Sequence, residues 1–281
     1  MAHKILEKTK LNSVMWKIVI DAPLVAGNAK AGQFVVIRTG EGGERIPLTI
    51  NNKDASRGTI TVIFQEAGTT TKKLGCLKEG DFLTDLLGPL GKAACFGRAG
   101  KVILVAGGVG IAEILPVAKY AKEEGNTVLT VIGGRTKELV ILEDELRAYS
   151  DKLFITTDDG SCGQKGLVTD PLKAMLDKEK VDLCYCVGPD IMMKAVCETT
   201  RPHGLKTLVS LDANMVDATG MCGTCRVTVG GETKFVCVDG PEFDGHQVDW
   251  DGFLKRQKRF ASEEKHSLEH FNSKHKNCRC G

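Results

Sequence analysis

A regular alternation of short apolar segments with amphipathic ones, in the middle of the chain, limits its fold more than any other feature. The apolar segments have the length and branched side chains of buried strands, and the segments between them repeat at helical spacing. We predict strands at residues 102–106, 127–132, 153–157 and 183–187, with helices at 111–123, 142–149 and 171–178. Because strands that alternate with helices are joined by crossovers, this pattern indicates an α/β domain with a parallel sheet over residues 99–210.

The first 98 residues follow a different pattern. Short runs rich in branched residues, at 14–20, 33–38, 45–51 and 58–65, are separated by turns of glycine, asparagine and proline. This arrangement is typical of a small antiparallel barrel. We therefore predict an N-terminal antiparallel β-barrel over residues 1–98.

Residues 211–281 form the third predicted segment. It contains a glycine-rich cysteine loop, followed by predicted strands at 226–229 and 232–238. The polar tail beyond residue 251 has apolar side chains at a spacing that suits an amphipathic helix, namely Phe253, Leu254, Phe260, Leu268 and Phe271. We expect a small C-terminal loop domain with a helical tail.

Composition excludes several classes of protein. A chain of 281 residues suits two or three domains, and 42% apolar with 26% charged residues is ordinary for a globular protein. The net charge of +2 gives no reason to expect nucleic acid or a membrane as a partner, and no apolar run approaches the ~18 residues of a membrane span. The 11 cysteines are odd in number, and Glu7 interrupts the apolar start that a secretion signal needs, so we expect a reduced, cytoplasmic protein.

Three cysteines lie close together near the C-terminal end. Cys222 and Cys225 form a Cys-x2-Cys pair in a glycine-rich loop, and Cys237 follows twelve residues later. Glycine lets such a loop turn several sulfurs toward one point, and sulfur ligands suit an iron–sulfur cluster or zinc. Either centre takes four ligands, so one further ligand is needed.

Glycine-rich turns follow several predicted strands of the α/β domain. Gly107-Gly108-Val109-Gly110 lies between a strand and a helix, where backbone amides can bind a phosphate, although a tight turn uses glycine too. Three further turns follow strands, namely Gly133-Gly134-Arg135, Asp158-Asp159-Gly160 and Gly188-Pro189, the last of them ending what we take to be the final strand of the sheet. Since ligands bind at the carboxyl ends of such strands, we expect the four turns to meet at one nucleotide.

The barrel segment has two candidate phosphate contacts. Arg45 begins the run Arg-Ile46-Pro47-Leu48-Thr49, and Gly68-Thr69-Thr70-Thr71 is a polar turn. An arginine with nearby amides and hydroxyls can hold a diphosphate. A surface arginine and an ordinary turn fit these residues equally well.

Five motifs follow one another in an order that is more specific than any one of them. They are Arg45-x-Pro-Leu-Thr49, Gly68-Thr69, Gly88-Pro-Leu-Gly91, Gly107-Gly-Val-Gly-Ile-Ala112 and Gly188-Pro-x-x-Met-Met193. In this order they resemble the ferredoxin–NADP reductase superfamily. The cysteine loop makes the chain similar to the branch that contains the electron-transfer subunit of class B dihydroorotate dehydrogenase. Within this branch it most resembles the small subunits of NADH-dependent ferredoxin:NADP oxidoreductases, also called sulfide dehydrogenase subunits.

The resemblance implies an FAD in the barrel and NAD(H) on the α/β domain. Carried over by position, 45–49 would hold the ribityl phosphate, Gly68, Thr69 and Thr70 the pyrophosphate, and the backbone of Val62, Ile63 and Phe64 would lie along the flavin. The nucleotide's phosphates would lie on 107–110, and Gly188-Pro189 would border the nicotinamide. Arg135, Asp158 and Asp159 complete the expected NAD(H) contacts, and Arg135 could pair with a 2′-phosphate or stack on adenine. No catalytic side chain is expected, because the cofactors carry the chemistry.

The resemblance also implies a [2Fe-2S] cluster in the cysteine loop. The branch usually supplies four cysteines, and here the first of them falls on Asp217, so we predict Asp217, Cys222, Cys225 and Cys237 as ligands. Asp217 could instead cap a turn, and Asp212 is a competitor at a less suitable spacing. A second departure is Glu113, which lies where the superfamily usually has proline.

An electron-transfer flavoprotein subunit follows from these cofactors. It would exchange hydride between NAD(H) and FAD and single electrons with the cluster, and relay them to a larger flavin and iron–sulfur subunit that bifurcates electrons to ferredoxin and NADP(H). The alternatives are the electron-transfer subunit of a dihydroorotate dehydrogenase and a zinc-stabilised regulatory module that binds a nucleotide.

The tail contains further candidate metal ligands, namely His266, His270, His275, Cys278 and Cys280. Histidines four residues apart on a helix can share a metal. We favour a polar tail that docks a partner or frays.

Overall fold

A computed structural model describes residues 3–274, and in this range the chain forms two seven-stranded sheets and one two-stranded hairpin. The tail residues His275, Cys278 and Cys280 lie outside the described range. No helix within that range is long and apolar enough to cross a membrane.

The N-terminal sheet is a nearly closed antiparallel barrel, as predicted. Its strands are β1 (His3–Lys10), β2 (Met15–Asp21), β3 (Phe34–Arg38), β4 (Ile46–Asp54), β5 (Thr59–Gln65), β6 (Phe82–Leu83) and β7 (Asp85–Leu90), in the order β6-β1-β2-β5-β4-β3-β7. Two helices, α1 (Pro23–Asn28) and α2 (Thr69–Cys76), pack on it. Alternate side chains of β2 and β5, such as Ile18, Val62 and Phe64, form the buried core.

The second sheet has the predicted parallel strands. They are β8 (Lys101–Gly107), β9 (Thr127–Gly134), β10 (Lys152–Thr157) and β12 (Leu183–Val187). A short strand that was not predicted, β11 (Gln164–Lys165), pairs parallel to β10. The helices are α3 (Gly110–Glu123), α4 (Glu143–Ala148), α5 (Thr169–Leu176) and the unpredicted α6 (Asp190–Thr200), with two short 3-10 helices, Lys137–Leu139 and Arg201–His203. Every residue from Val102 to Gly107 is buried, because helices cover both faces of the sheet.

The prediction that the strand before Gly188 is the last of this sheet is wrong. After α6 the chain adds β13 (Thr207–Ser210) parallel to β12, and later β16 (Glu242–Asp244) antiparallel to β13. Strands of four and three residues are too short to show a period in the sequence. The sheet order is β11-β10-β9-β8-β12-β13-β16, so β16 joins this sheet although it falls within the third predicted segment.

The cysteine loop lies between β13 and β16, which are neighbours in the sheet. The Leu211 amide donates to the Pro241 carbonyl at 3.0 Å and closes the base of this segment. It contains the hairpin β14 (Arg226–Val229) and β15 (Glu232–Phe235) and one helical turn, α7 (Val236–Asp239). The predicted strand 232–238 is therefore wrong in its second half. The Asp239 carboxylate accepts the Phe235 amide at 2.7 Å and so stabilises the turn that carries Cys237.

Two helices form the tail, α8 (Trp250–Gln257) and α9 (Ala261–Lys274), which confirms the expected helical tail. In α8, Trp250 and Phe253 are buried in the core of the second sheet. In α9, Leu268 and Phe271 are half-buried and the other described side chains are exposed. This helix packs on α2, where Thr69 and Ser267 hydroxyls lie 3.0 Å apart and Lys72 Nζ donates to Asn272 Oδ1 at 3.1 Å.

Candidate redox site

The four predicted nucleotide turns meet at the carboxyl ends of β8, β9, β10 and β12. The Gly108 amide donates to the Gly133 carbonyl at 3.1 Å. The amides of Asp158 and Asp159 donate to the carbonyls of Gly134 and Arg135 at 3.1 and 3.3 Å. The structure therefore brings these turns together as expected; their role in binding stays a prediction.

Two glycines allow the first and last turns to touch. Gly188 has a φ of +145°, and a Cβ there would lie 2.8 Å from the Gly107 carbonyl oxygen. A Cβ at Gly110 would lie 2.6 Å from the Val187 carbonyl oxygen. In contrast, a Cβ at Gly108 would meet nothing within 4 Å, so there is open space above the start of α3, where a phosphate can approach the helix.

The predicted nucleotide turns also carry charged side chains of opposite sign, Arg135 and Asp159. Arg135 is exposed and makes no ion pair with any other residue between 3 and 274. The Asp159 carboxylate accepts the Ser161 hydroxyl and amide at 2.6 and 2.9 Å, and the hydroxyl bond in particular lowers the pKa of Asp159. Asp159 is therefore a fixed anion near neutral pH, whereas Arg135 is free to pair with a ligand.

The predicted FAD contacts of the barrel lie around the start of α2. Arg45 Nη2 lies 2.8 Å from Asp85 Oδ2, and the Thr70 hydroxyl donates to Glu44 Oε2 at 3.3 Å. The Thr71 hydroxyl accepts the Gly68 amide at 3.0 Å and stabilises the first helical turn. The first amides of a helix have no partner inside it, so this turn presents donors to an anion.

The strand predicted to lie along the flavin has one uncovered backbone edge. Between β4 and β5, pairing runs from Asp54 only as far as Ile50, which lies opposite Val62. The rest of β4, including Thr49, pairs with β3 instead. The β4-facing edge of Ile63 and Phe64 is therefore left without a strand partner, while the Phe64 side chain stays in the barrel core. Backbone contacts to a planar ligand fit this edge.

Two acidic side chains, Glu113 and Asp212, lie where the barrel meets the nucleotide domain. The Thr49 hydroxyl bonds the Glu113 carboxyl, and Asn51 Nδ2 donates to the Ala112 carbonyl at 2.6 Å. Burial, followed by the negative charge of Asp212, raises the pKa of Glu113 to about 7. The Asp212 side chain has a large accessible surface, but protein atoms surround its carboxyl group. Desolvation, followed by the negative charge of Asp190, raises the pKa of Asp212 to about 6.

The cysteine loop brings two of its predicted ligands into contact. Cys225 Sγ and Cys237 Sγ lie 3.3 Å apart, both sulfurs are unoxidised, and each residue is 2% exposed. Cys222 is exposed. Within residues 3–274, no three histidine, cysteine, aspartate or glutamate side chains converge on one metal position. Since a [2Fe-2S] cluster shares four ligands between two irons, a thiol pair with a third thiol in the same loop fits it by donor chemistry.

Asp217 lies at the start of this loop as a turn-capping residue. Its two carboxylate oxygens accept the amides of Thr219 and Cys222 at 2.9 and 2.8 Å. The Thr219 bond does most to lower the pKa of Asp217, and the positive charge of Arg45 lowers it further. Each oxygen keeps a second lone pair, so capping and metal ligation are compatible. The effect of Arg45 also means that the cysteine loop faces the barrel site.

Some residues of the site were not predicted. Asp85, the partner of Arg45, and Asn51 carry no motif of their own, although Asn51 is 7% exposed and polar, which is unusual for a strand residue. The tail residues His266 and His270 belong to no described metal-binding group.

Comparison with known proteins agrees with this geometry. Residues 212–249 match the iron–sulfur cluster binding domain of dihydroorotate dehydrogenase B, and residues 104–198 match the oxidoreductase NAD-binding domain. A dihydroorotate dehydrogenase B (NAD+) electron transfer subunit homolog of Thermotoga maritima is 47% identical over 96% of this chain and 95% of its own. The chain belongs to the dihydroorotate dehydrogenase B electron transfer subunit family.

A second relative and a solved structure support this assignment, and a more distant structure shares the fold. The electron transfer subunit of Geobacillus thermodenitrificans is 34% identical over 83% of this chain and 92% of its own. A chain from the structure of the NADH-dependent reduced ferredoxin-NADP oxidoreductase, studied for flavin-based electron bifurcation, has a TM-score of 0.92 and 45% identity and covers 96% of this chain and 98% of that one. Phthalate dioxygenase reductase, at 21% identity and a TM-score of 0.60 over 82% of this chain and 86% of its own, shares the fold.

Proposed function

We propose that this chain is the electron-transfer flavoprotein subunit of an electron-bifurcating ferredoxin:NADP oxidoreductase. The observation that carries this proposal is that the barrel, the nucleotide turns and the cysteine loop meet at one junction. Thr49 of the barrel bonds Glu113 beside the nucleotide turn, and Arg45 of the barrel acts electrostatically on Asp217 of the cysteine loop. The 45% identity to a chain of the bifurcating enzyme supports it further.

The barrel residues would bind FAD. When bound, FAD exchanges hydride with NAD(H) and single electrons with an iron–sulfur cluster. Arg45, held by Asp85, and the first turn of α2 at Gly68, Thr69 and Thr70 offer positive charge and donors to the diphosphate. The open edge of β5, with Thr49 opposite, offers backbone donors and acceptors to the ring.

The nucleotide turns would bind NAD(H). Residues 107–110 would bind its phosphates through the amides of Val109 and Gly110, because the Gly108 amide already donates to the Gly133 carbonyl. The touching backbones of Gly107 and Gly188 exclude water from the floor of the site. Pro189, at the start of α6, lies beside Gly107, where an added Cβ would be 3.6 Å from the proline Cδ, and would border the nicotinamide. Asp158, Asp159 and Arg135 lie at the far end, where the fixed negative charge of Asp159 opposes a 2′-phosphate and so favours NAD(H).

Asp217, Cys222, Cys225 and Cys237 would hold the [2Fe-2S] cluster. The Cys225–Cys237 contact pre-positions two sulfurs, and the turn capped by Asp217 places the Cys222 backbone beside its carboxylate. We assign the protein a larger flavin and iron–sulfur subunit as partner, with ferredoxin and NADP(H) as that subunit's substrates. We place the protein in the reducing cytoplasm, where the exposed free thiol of Cys95 would persist.

A visible absorption spectrum with cofactor analysis tests this function. We expect flavin and iron–sulfur absorption from the purified chain, about one FAD and two irons per chain, and bleaching by NADH in the absence of air. A colourless protein that contains zinc would contradict the proposal and favour a regulatory nucleotide-binding module.

The electron transfer subunit of a dihydroorotate dehydrogenase is the second candidate, and the matched cluster domain favours it. The cofactors are the same in both cases, so the partner decides between them. Purification of the tagged chain from its own cells should recover a large subunit that reduces ferredoxin and NADP(H). Recovery of a subunit that oxidises dihydroorotate would overturn the first candidate.

A further inference from the structure

Helix α8 contacts the cysteine loop at two places, although it lies outside the matched cluster domain of residues 212–249. At the start of the loop, Gln257 Nε2 donates to the Asp212 carbonyl, and its Oε1 accepts the Asn214 amide at 3.4 Å. Further along the loop, Arg256 lies beside the Cys-x2-Cys pair. One helix therefore holds both the start of the loop and its Cys-x2-Cys segment.

Arg256 binds the backbone on either side of Cys225. Its Nη2 donates to the Thr224 carbonyl at 3.0 Å and its Nε donates to the Arg226 carbonyl at 3.1 Å. A guanidinium has a rigid planar fork, so two such bonds fix the direction of the peptide groups around the cysteine between them. The Cys225 sulfur is thereby held in its contact with Cys237.

The helix that carries Arg256 is itself firmly anchored. Phe253 is 2% exposed, and Trp250 Nε1 donates to the Gly245 carbonyl at 2.9 Å. Asp249 caps the helix by accepting the Gly252 amide at 3.1 Å. The arginine therefore acts from a rigid support.

We propose that Arg256 is a positioning residue of the iron–sulfur cluster, which holds the Cys225 segment in its ligating conformation and raises the cluster's reduction potential by its fixed positive charge. This inference rests on the proposed function. Reduction adds negative charge to a cluster, and a nearby cation stabilises that charge, because net charge and hydrogen bonding set the potential of such centres. Hydrogen-bonding partners of metal ligands also slow the loss of the metal.

Two substitutions separate the two effects. Arg256→Gln removes the charge and the fork, whereas Arg256→Lys keeps the charge and removes the fork. Lys255→Gln is the matched control, because it removes one positive charge from the same helix turn and Lys255 is exposed, with no described contact to the loop. All variants are made in the full chain, and their FAD content checks that the barrel is folded.

Iron release to a chelator and the midpoint potential of the cluster are the measurements. Arg256→Gln should release iron roughly tenfold faster and show a lower potential than the wild type. Arg256→Lys should release iron faster too, with a potential close to that of the wild type. Lys255→Gln should match the wild type in both.

Two results would overturn the inference while leaving the proposed function intact. One is wild-type iron release and potential in Arg256→Gln. The other, which applies even if that variant fails to fold, is wild-type iron release in Arg256→Lys. A wild-type chain that lacks iron would instead overturn the proposed function, and the role of Arg256 would fall with it.

Discussion

Gly188 lies where two nucleotide turns touch, and its backbone excludes a side chain. Gly188 has a φ of +145°, which strains the backbone of any other residue. The Cβ of an alanine there would also lie only 2.8 Å from the Gly107 carbonyl oxygen, closer than the two atoms can pack. Gly188→Ala should lower the free energy of unfolding by about 2 kcal/mol or more and weaken NADH binding. Urea unfolding and NADH titration measure the two effects.

Gly204→Ala is the matched control for that substitution. Gly204 has a φ of +60° but open space around its Cβ position, so only the conformational cost of about 1 kcal/mol applies. If both variants bind NADH equally, contact between the turns does not shape the crevice.

Glu113 should make the folded protein less stable as the pH rises. Burial raises its pKa from 4.5 to about 7, so the folded chain keeps a proton that the unfolded chain has lost between these pH values. Stability is therefore highest below pH 4.5 as far as this group is concerned, and it falls as the pH rises to about 7. Between pH 5 and pH 8, the free energy of unfolding should fall by about 2 kcal/mol less in Glu113→Gln than in the wild type. Urea unfolding at the two pH values measures this difference.

The neighbouring Asp212 titrates in the same direction, since its pKa is raised to about 6. Some pH dependence should therefore remain in Glu113→Gln. Equal slopes for the variant and the wild type would mean that Glu113 is ionised in the folded protein.

A substitution at Asp217 tests the proposed ligand set of the cluster. A carboxylate oxygen is harder than a thiolate and bonds iron less covalently, so Asp217→Cys should change the midpoint potential and the EPR spectrum. Asp212→Asn, the control, should change neither, because that position is not a predicted ligand. An unchanged potential in Asp217→Cys would mean that Asp217 only caps its turn.

The first turn of α2 depends on a single hydroxyl. Thr71 accepts the amides of Ala67 and Gly68, both at 3.0 Å. Thr71→Ala should cost about 1 kcal/mol of stability and loosen the turn that would bind the FAD diphosphate. We expect weaker FAD binding in a fluorescence titration of the flavin-free chain.

Thr199→Ala serves as the control, because the Thr199 hydroxyl donates to the Ala195 carbonyl inside α6 and supports no helix start. It should bind FAD as the wild type does. Equal FAD affinity in Thr71→Ala would exclude the α2 turn from the flavin site.

Long apolar elements were predictable from sequence, and short or charged ones were not. The strand at Leu183–Val187 has five buried residues in a row, and its bounds were predicted correctly. Strand β1 was missed because its sequence is dominated by charges and only Ile5 is buried. The helical turn at Cys237 was missed because Val236 and Val238 favour strands, and this preference hid the local bond from the Phe235 amide to the Asp239 carboxylate four residues later.

The candidate site was predictable where a motif has a backbone role. Glycine turns after strands could be located because the ends of parallel strands share one edge. The contacts of Arg256 and the Thr49–Glu113 bond join residues far apart in sequence, and no periodicity signals them. The sequence suggested Asp217 both as a ligand and as a turn cap, because the amides that it accepts, those of Thr219 and Cys222, are close to it in the chain.

The three parts of the molecule should lose their cofactors independently. The cysteine loop leaves the second sheet at Leu211 and returns at Pro241, so its disruption leaves the neighbouring strands paired. Cys225→Ser should abolish the cluster signal while FAD content and its reduction by NADH persist. Flavin and iron analysis of the purified variant would check this.

Cys95→Ser is the control, since Cys95 is an exposed free thiol and not one of the proposed ligands. It should retain both cofactors. Loss of FAD from Cys225→Ser would mean that the loop and the barrel form one cooperative unit.

The paired ends of the cysteine loop also have a meaning for protein engineering. Ser210 of β13 lies directly opposite Glu242 of β16, so the intervening chain leaves and re-enters the sheet at adjacent positions. A tight hairpin could bridge these residues in a shortened gene. Removal of the cysteine loop would take away the proposed cluster ligands and leave β12 and β13 paired, provided that the buried side chains that the loop adds to the core of the second sheet, such as Val227 and Val236, are replaced.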